Sequence, residues 1–395
     1  MNVTITPAKL KGAVTPPPSK SQAHRAVLAL ALSGGEGKLS NLSPSQDICA
    51  TQSCVAALKS GTPTGLDGLP MLDCGESGST LRFLIPVALA LRGGGCFMGR
   101  GRLMERPQTP YFDIFREKGI FWERIGNLLE VKGALPPGEY RLPGDVSSQF
   151  VTGLLYALPL LDGDSQIVLT SPLESRDYVA MTLDVLKKFG VQVGNQGYER
   201  FSVPGDQKFQ ARDMTIEADW SQAGFWYAAA FLGNPVETSG LDPDSTQGDR
   251  VIAAHYKTLA QPGDVEIDVS GCPDLVPPLA VMAALRAGRT TRLINAARLR
   301  IKESDRLASV TQVLDALGAD VTEGPDSLTI RGKDCLTGGV KVDSFNDHRI
   351  AMMAAVAATR CDKPVTITGA ECVAKSYPDF WDDYEMLGGK IEKSE

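Results

Sequence analysis

The chain is poor in the residues that anchor metals, span membranes or staple small secreted folds, and each shortage closes off a class of function. It has three histidines, His24, His255 and His348, and they stand at no ligand spacing. A zinc or paired-metal centre is therefore not expected. Its eight cysteines (Cys49, Cys54, Cys74, Cys96, Cys272, Cys335, Cys361 and Cys372) form no CxxC pair. The first ten residues lack the basic, apolar and cleavage regions of a secretion signal. The cysteines therefore read as reduced thiols, and the expected compartment is the cytoplasm. No apolar run approaches the ~18–20 residues that cross a bilayer; the best candidates, 26–32 and 352–358, are too short. Aromatic residues make up 7%, so the core is aliphatic. Excess positive charge is also missing. The net charge of −7 argues against a sequence-independent nucleic-acid binder. It leaves room for small anionic ligands, because a local basic cleft focuses them against an acidic background.

What is present is a pattern that recurs about six times. A length of 395 residues suggests two or three domains, yet no linker or low-complexity segment divides the chain. The Pro/Gly stretches at 61–70 and 135–144 read as turns. In each copy a polar cluster opens a short apolar helix, predicted over 19–32, 76–91, 147–161, 219–232, 274–285 and 347–358. A strand follows, predicted over 38–42, 96–99 (after a turn at 93–95), 166–170, 235–238, 290–294 and 364–368. These helices are apolar around much of their circumference, which means burial on most sides. A second, more amphipathic helix comes next, for example over 47–59, 177–189 and 304–317. The last two end at Gly190 and Gly318, each suited to a left-handed cap. Units of about 65 residues exceed solenoid repeats. Three per domain give two similar α/β halves.

Because the polar clusters sit at helix starts, they share unsatisfied N–H groups and a partial positive charge. Convergence of several such ends would make an anion site. In the first cluster, Ser19, Lys20, Ser21 and Arg25, two cations stand where the helix dipole disfavours them, a conflict that an anion resolves. The second, Gly75 to Arg82, holds Gly78 among serines and a threonine, suited to close backbone approach. The third carries Arg100, Arg102 and Arg106, which form either a solvated basic loop or a set of carboxylate- and phosphate-binding forks. Ser147, Ser148 and Gln149, and then Ser175 and Tyr178, offer hydroxyls and an amide to a phosphate or polyol; the serines serve equally as N-caps. Asp274, followed by Pro277 and Pro278, is placed as a good N-cap. Residues 298–306 hold six charges in nine positions. If they are helical, Lys302 and Arg306 share a face at i,i+4 with Glu303 beside them, and a surface ion-pair ladder is the alternative. Asn346, Asp347, His348 and Arg349 head an apolar helix, with His348 read as structural, and Lys375 lies in a last cluster at 374–379.

Taken in order, these clusters resemble the 5-enolpyruvylshikimate-3-phosphate (EPSP) synthase family. The motifs are Ser-Lys-Ser with Arg25, Gly-x-x-Gly-x-x-x-Arg ending at Arg82, Arg-x-x-Glu-Arg-Pro from Arg102, Ser-Ser-Gln from Ser147, Arg-x-Lys-Glu-Ser-Asp-Arg from Arg300, Asn-Asp-His-Arg from Asn346, and Ala-Lys-Ser-x-Pro-Asp from Ala374. The resemblance implies two similar domains, each of three βαβαββ units with buried helices and outer sheets, an inside-out α/β barrel. It implies boundaries at 1–18 plus 218–395 and 19–217, with the active site in the cleft between domains that close on ligand. It further implies transfer of the enolpyruvyl group of phosphoenolpyruvate to the 5-hydroxyl of shikimate 3-phosphate, in a monomer that uses no metal or organic cofactor. Shikimate 3-phosphate is expected at Ser21, Arg25, Ser147, Ser148, Ser175, Tyr178, Asp274 and Lys302. Phosphoenolpyruvate is expected at Lys20, Gly78, Arg102, Gln149, Arg306, Arg349 and Lys375. Asp274 and Glu303 are the implied acid–base pair, with Lys20 assisting. The chain departs from the family's usual residues at Glu76 and Arg298, where Asn is common, and at His24, where a smaller polar residue is usual. Two other readings stand beside this one. A UDP-N-acetylglucosamine enolpyruvyl transferase is similar in fold and donor, but it has Lys-Asn where this chain has Lys20-Ser21, and a reactive cysteine in the loop matching 100–106, where this chain has none. A non-catalytic anion-binding protein would gain nothing from carboxylates beside anionic ligands.

Overall fold

The computed structural model describes residues 1–61, 65 and 68–395. Much of the turn expected at 61–70 therefore lies outside the described residues. The chain forms two compact units, one made of Met1–Ser19 with Glu217–Glu395 and the other of Lys20–Ile216. In the first unit the two crossing segments run side by side. Pro18 bridges Ala218, and the Ser19 N–H donates to the Glu217 carbonyl at 2.7 Å.

In the unit Lys20–Ile216, two four-stranded sheets are built alike. Met71–Asp73 pairs in parallel with Gly94–Met98, and the hairpin Phe121–Ile125 and Leu128–Lys132 extends the sheet antiparallel. Gly138–Leu142 pairs in parallel with Ser165–Leu169, followed in the same way by Arg200–Val203 and Gly194–Gln196. A shorter third copy pairs Leu39–Ser40 with Met214–Thr215. The unit with both termini repeats the plan. Val265–Asp268, Thr290–Ile294, Leu328–Arg331 and Asp320–Glu323 form one such sheet. Lys341–Asp343, Val365–Thr368, Asn2–Thr6 and Lys390–Ser394 form another, in which the N-terminal strand completes the last repeat. Each four-stranded sheet is thus a βαβαββ product: a helix crosses between the parallel pair, a second helix follows, and a hairpin closes it. The last copy borrows Asn2–Thr6 for one strand of its hairpin.

The crossing helices are the apolar ones. All nine residues of Val276–Ala284 and all eleven of His348–Ala358 are buried. Each large aliphatic side chain so buried contributes roughly 1.5–3 kcal/mol, and their many alanines favour helix without demanding space. The crossing helices Gly78–Arg92 and Ser148–Ala157 pack closely, and a Cβ at Gly153 would run into the carbonyl oxygen of Arg82. That carbonyl has lost its usual helical donor, because Pro86 stands four residues on. The Tyr111 hydroxyl replaces it at 2.7 Å.

Several boundaries differ from the sequence reading for local reasons. The segment 135–144 is not all turn: Gly138–Leu142 is a strand with Tyr140 and Leu142 buried and Glu139 and Arg141 exposed, an alternation that the flanking prolines mask. The turn expected at 93–95 is a single left-handed cap at Gly93, and Gly94 already opens the strand, its backbone too close to Val131 for any side chain. The second polar cluster starts its helix at Gly78, with Ser77 as cap accepting from the Thr80 N–H. Residues 302–305 are not helical. The helix begins at Arg306 because the Asp305 side chain caps it, accepting from the Ala308 N–H at 3.2 Å. Lys302 and Arg306 therefore do not share a helix face at i,i+4.

Candidate active site

In the unit Lys20–Ile216 the clusters gather at helix starts. Lys20 opens the helix Lys20–Ser33 and binds the Asp47 carboxylate at 2.8 Å, at the start of Gln46–Ser60. Arg25, one turn further in, is buried and held at three points: the Ser21 carbonyl at 2.6 Å, the Tyr178 carbonyl at 2.9 Å and the Thr182 hydroxyl at 2.8 Å. Burial pushes its guanidinium down to about 10, still cationic at neutral pH. Ser21, Arg25 and Tyr178 are thus brought together. Ser147 acts as an N-cap, accepting from the Gln149 N–H at 3.3 Å, with Ser148 buried beside it. Ser175 stands at a helix start in the left-handed region (φ 54°) and makes no capping bond, so capping does not account for it.

Gln149 joins a second group. Its Oε1 accepts from Arg82 at 2.8 Å and its Nε2 donates to the Ser79 hydroxyl at 3.0 Å, next to Gly78. The arginine against Gly78 is Arg106, which the sequence reading placed in the basic loop without assigning it to a substrate. A Cβ at Gly78 would lie 2.8 Å from an Arg106 guanidinium nitrogen. Arg102 points elsewhere: it is 45% exposed and faces Glu105 at 3.7 Å. Arg106 is 8% exposed, because the 3-10 turn Leu103–Glu105 turns it inward.

In the unit with both termini, Arg306 is the hub. It is 1% exposed and reaches three carboxylates: Asp274 at 2.7 Å through Nη1, Glu303 at 2.6 Å through Nη2, and Asp347 at 2.7 Å through Nε. Asp274 also meets Arg349 at 3.1 Å and Lys302 at 3.6 Å. It is not the N-cap that its position suggested: it lies within the 3-10 turn Pro273–Leu275, and the helix Val276–Ala284 has no side-chain cap. Burial favours protonation of Asp274, but Arg349, then Lys302 and Arg306, outweigh it and hold the carboxyl well below the usual range. Burial, with Arg306 adding repulsion and Asp274 opposing, pushes Lys302 down to about 8. Asp347 is wholly buried and accepts from Ser304 at 3.0 Å, besides Arg306 and the Arg349 N–H. Lys375 donates to the Asn346 carbonyl at 2.6 Å, which ties the last cluster to the one before it.

Two acidic partners were not singled out. Asp47 sits at the start of an amphipathic helix, and only its polar position there hinted at a role. Asp249 had no signal at all: its Gly-Asp-Arg setting resembles a surface turn, yet it is 4% exposed and accepts a hydrogen bond from Ser221. Burial first, then Asp274, pushes Asp249 up to about 7, against Ser221 and Arg349. The sign follows directly. The folded carboxyl holds its proton to a higher pH than the unfolded one, so its stabilisation is complete below the unfolded value of 3.8 and is lost as pH rises through about 7. Asp249→Asn should therefore exceed wild type in melting temperature by more at pH 8.5 than at pH 5. Calorimetry at both values checks this, and an equal shift at both would contradict it.

A family model described as EPSP synthase (3-phosphoshikimate 1-carboxyvinyltransferase) matches residues 5–384. The chain belongs to the EPSP synthase family. Among its relatives, the 3-phosphoshikimate 1-carboxyvinyltransferases of Clostridium kluyveri and Clostridium acetobutylicum are 46% and 45% identical, each covering 99% of this chain and 98% of their own length. The fold is also that of solved family structures. EPSP synthase from Acinetobacter baumannii superposes with a TM-score of 0.79 at 24% identity, over 99% of this chain and 100% of that one. The enolpyruvyl transferase NikO from Streptomyces tendae gives 0.74 at 16% identity, over 99% and 98%. The family's inside-out α/β architecture is the one built here from repeated sheets around buried crossing helices.

Proposed function

We propose that the chain transfers the enolpyruvyl group of phosphoenolpyruvate to the 5-hydroxyl of shikimate 3-phosphate, releasing phosphate, as a cytoplasmic monomer of the shikimate pathway. The observation that carries this reading is the Arg306 hub: two carboxylates, Asp274 and Glu303, held among Arg306, Arg349 and Lys302. Cations alone would bind anions. Carboxylates kept beside them add groups that move protons. In the proposed reaction the hydroxyl adds to C2 of phosphoenolpyruvate as C3 is protonated. The tetrahedral adduct then loses a C3 proton and phosphate. Asp274 receives the hydroxyl proton and Glu303 serves C3, with Lys20 assisting. Shikimate 3-phosphate is assigned to Ser21, Arg25, Ser147, Ser148, Ser175, Tyr178, Asp274 and Lys302. Phosphoenolpyruvate is assigned to Lys20, Gly78, Gln149, Arg306, Arg349 and Lys375, with Arg106 in the place first given to Arg102, because it is Arg106 that lies against Gly78. The residues assigned to the substrates are drawn from both units. Eight free thiols fit a reducing compartment, and no helix among the described residues is long and apolar enough to cross a membrane.

Mixing the protein with both substrates should release phosphate, and omission of either should abolish release. Release with UDP-N-acetylglucosamine in place of shikimate 3-phosphate would point to the sister activity, and binding without release to a non-catalytic protein. The pH dependence is also set. Above pH about 8 Lys302 loses its charge, so KM for shikimate 3-phosphate should climb with pH. A Lys302→Arg variant should delay that climb, because arginine stays charged. Parallel profiles for the two proteins would remove Lys302 from the binding role.

A further inference from the structure

A ladder of buried polar side chains crosses the unit Lys20–Ile216 and has no role in the chemistry described above. His24 Nδ1 lies 2.7 Å from the Thr51 hydroxyl, Thr51 lies 2.7 Å from the Thr80 hydroxyl, and Thr80 donates to the Ser77 hydroxyl at 2.7 Å. None of the four is more than 2% exposed. They come from three helix starts, those of Lys20–Ser33, Gln46–Ser60 and Gly78–Arg92, with Ser77 the cap of the third. The same helix starts carry Lys20, Asp47 and Gly78. The ladder runs beside them: the Asp47 carbonyl oxygen lies 3.2 Å from the Thr51 hydroxyl and 3.5 Å from the Thr80 hydroxyl, while the Asp47 carboxylate holds Lys20 at 2.8 Å.

Such an arrangement needs fastening. Three helix N-termini with Lys20 among them put like partial charges side by side, which pushes the ends apart. Hydrogen bonds near 2.7 Å fix spacing more tightly than aliphatic contacts do, because they weaken steeply with angle. His24 fits this task. Burial, then Lys20 and Arg25, holds its pKa well below the ordinary value, so the ring is neutral and adds no further charge. Its Nε2 has no hydrogen-bond partner among the described residues, and Phe83 packs edge-on to the ring with centroids 6.3 Å apart. A buried bare lone pair costs less than a bare N–H, so the proton belongs on Nδ1, donated to Thr51.

We propose that His24, Thr51 and Thr80 are positioning residues: by fastening three helix starts together they hold Lys20 in register with the Gly78 helix start, and so set the affinity for phosphoenolpyruvate. The proposal rests on the assignment of that ligand to Lys20 and Gly78. An anion shared between two helix starts binds best when their spacing is already correct. Otherwise binding must supply the ordering, and the loss falls on affinity rather than on the chemical step.

Thr51→Val keeps the shape and deletes the hydroxyl. KM for phosphoenolpyruvate should rise about tenfold, the scale of one buried hydrogen bond, with kcat and the KM for shikimate 3-phosphate little changed. Thr51→Ser should restore the wild-type KM. A merely structural role would reduce the folded fraction, lowering apparent kcat at unchanged KM, and that result overturns the proposal. Thr80→Val cuts the ladder at its next rung and should give the same split, so the test survives poor folding of one variant. A readout free of turnover is the phosphoenolpyruvate concentration needed for half the ligand-induced rise in melting temperature. It should be about tenfold higher in Thr51→Val than in wild type. Equal concentrations defeat the ladder whatever the activity. A tenfold difference in a protein that releases no phosphate leaves the ladder standing and defeats the proposed reaction.

Discussion

Asp274→Asn and Glu303→Gln should each lower turnover by about 10²–10⁴-fold, the usual contribution of a placed acid–base group, with substrate binding little changed. The reaction must take a proton from a hydroxyl, give one to C3 and later remove one. At rest Asp274 is a poor base, because Arg349, Lys302 and Arg306 overcome the effect of burial and hold it ionised. Those cations are also the ones assigned to the anionic substrates. As substrate oxygens take up their charge, Asp274 loses support for its ionised form, and its affinity for a proton rises when the hydroxyl arrives. Glu303 meets Arg306 at 2.6 Å and is assigned to C3. Hydrogen exchange separates the roles. In deuterated solvent, Glu303→Gln should suppress label entry at the enolpyruvyl methylene, relative to phosphate release, far more than Asp274→Asn does. Near wild-type turnover in both variants would reduce the two carboxylates to partners of Arg306.

Replacement of Arg306 should have the largest effect on the fold itself. Its guanidinium is 1% exposed and its three nitrogens each meet a different carboxylate, one of them the wholly buried Asp347. Burial opposes its charge, yet Asp347, Glu303 and Asp274 hold it firmly cationic. Arg306→Ala takes the guanidinium donor from Asp347, to which Ser304 and the Arg349 N–H still donate. Removing one partner of a buried ionic group costs about 3–5 kcal/mol. In a unit of this size that lowers the melting temperature by roughly 6–20 °C. Arg306→Lys should rescue little, since one ammonium cannot reproduce a planar fork aimed three ways. Calorimetry of both variants decides the matter: a shift of under about 3 °C for Arg306→Ala would mean that the hub is not structurally required. Turnover should be lost in both, because the two catalytic carboxylates lose the group that orients them.

Much of this architecture is legible in the residues. The six apolar helices, their strands and the glycine-capped amphipathic helices follow from periodicity and end signals, because a helix buried on all sides must be apolar all round. Gly190 and Gly318 do take the left-handed backbone that their positions implied. Boundaries slipped where two local signals competed. At 135–144 the prolines outweighed the alternation of Tyr140 and Leu142, and at 302–305 the charge run looked helical although Asp305 caps the helix that follows.

What the sequence by itself determined is the kind of chemistry: cations and small polar residues at helix starts, ordered along the chain in the family's motifs. Which of those cations meet was decided only by tertiary structure. Arg102 and Arg106 differ little on paper, but a single 3-10 turn exposes one and buries the other against Gly78. Asp274 has the sequence context of a cap and makes ion pairs instead. Asp249 looks like a surface residue and is buried beneath Ser221. The physical reason is common to all three. Local sequence sets where a helix can begin, but a side chain's charge state and partners depend on groups dozens of residues away, brought near by the packing of the repeats.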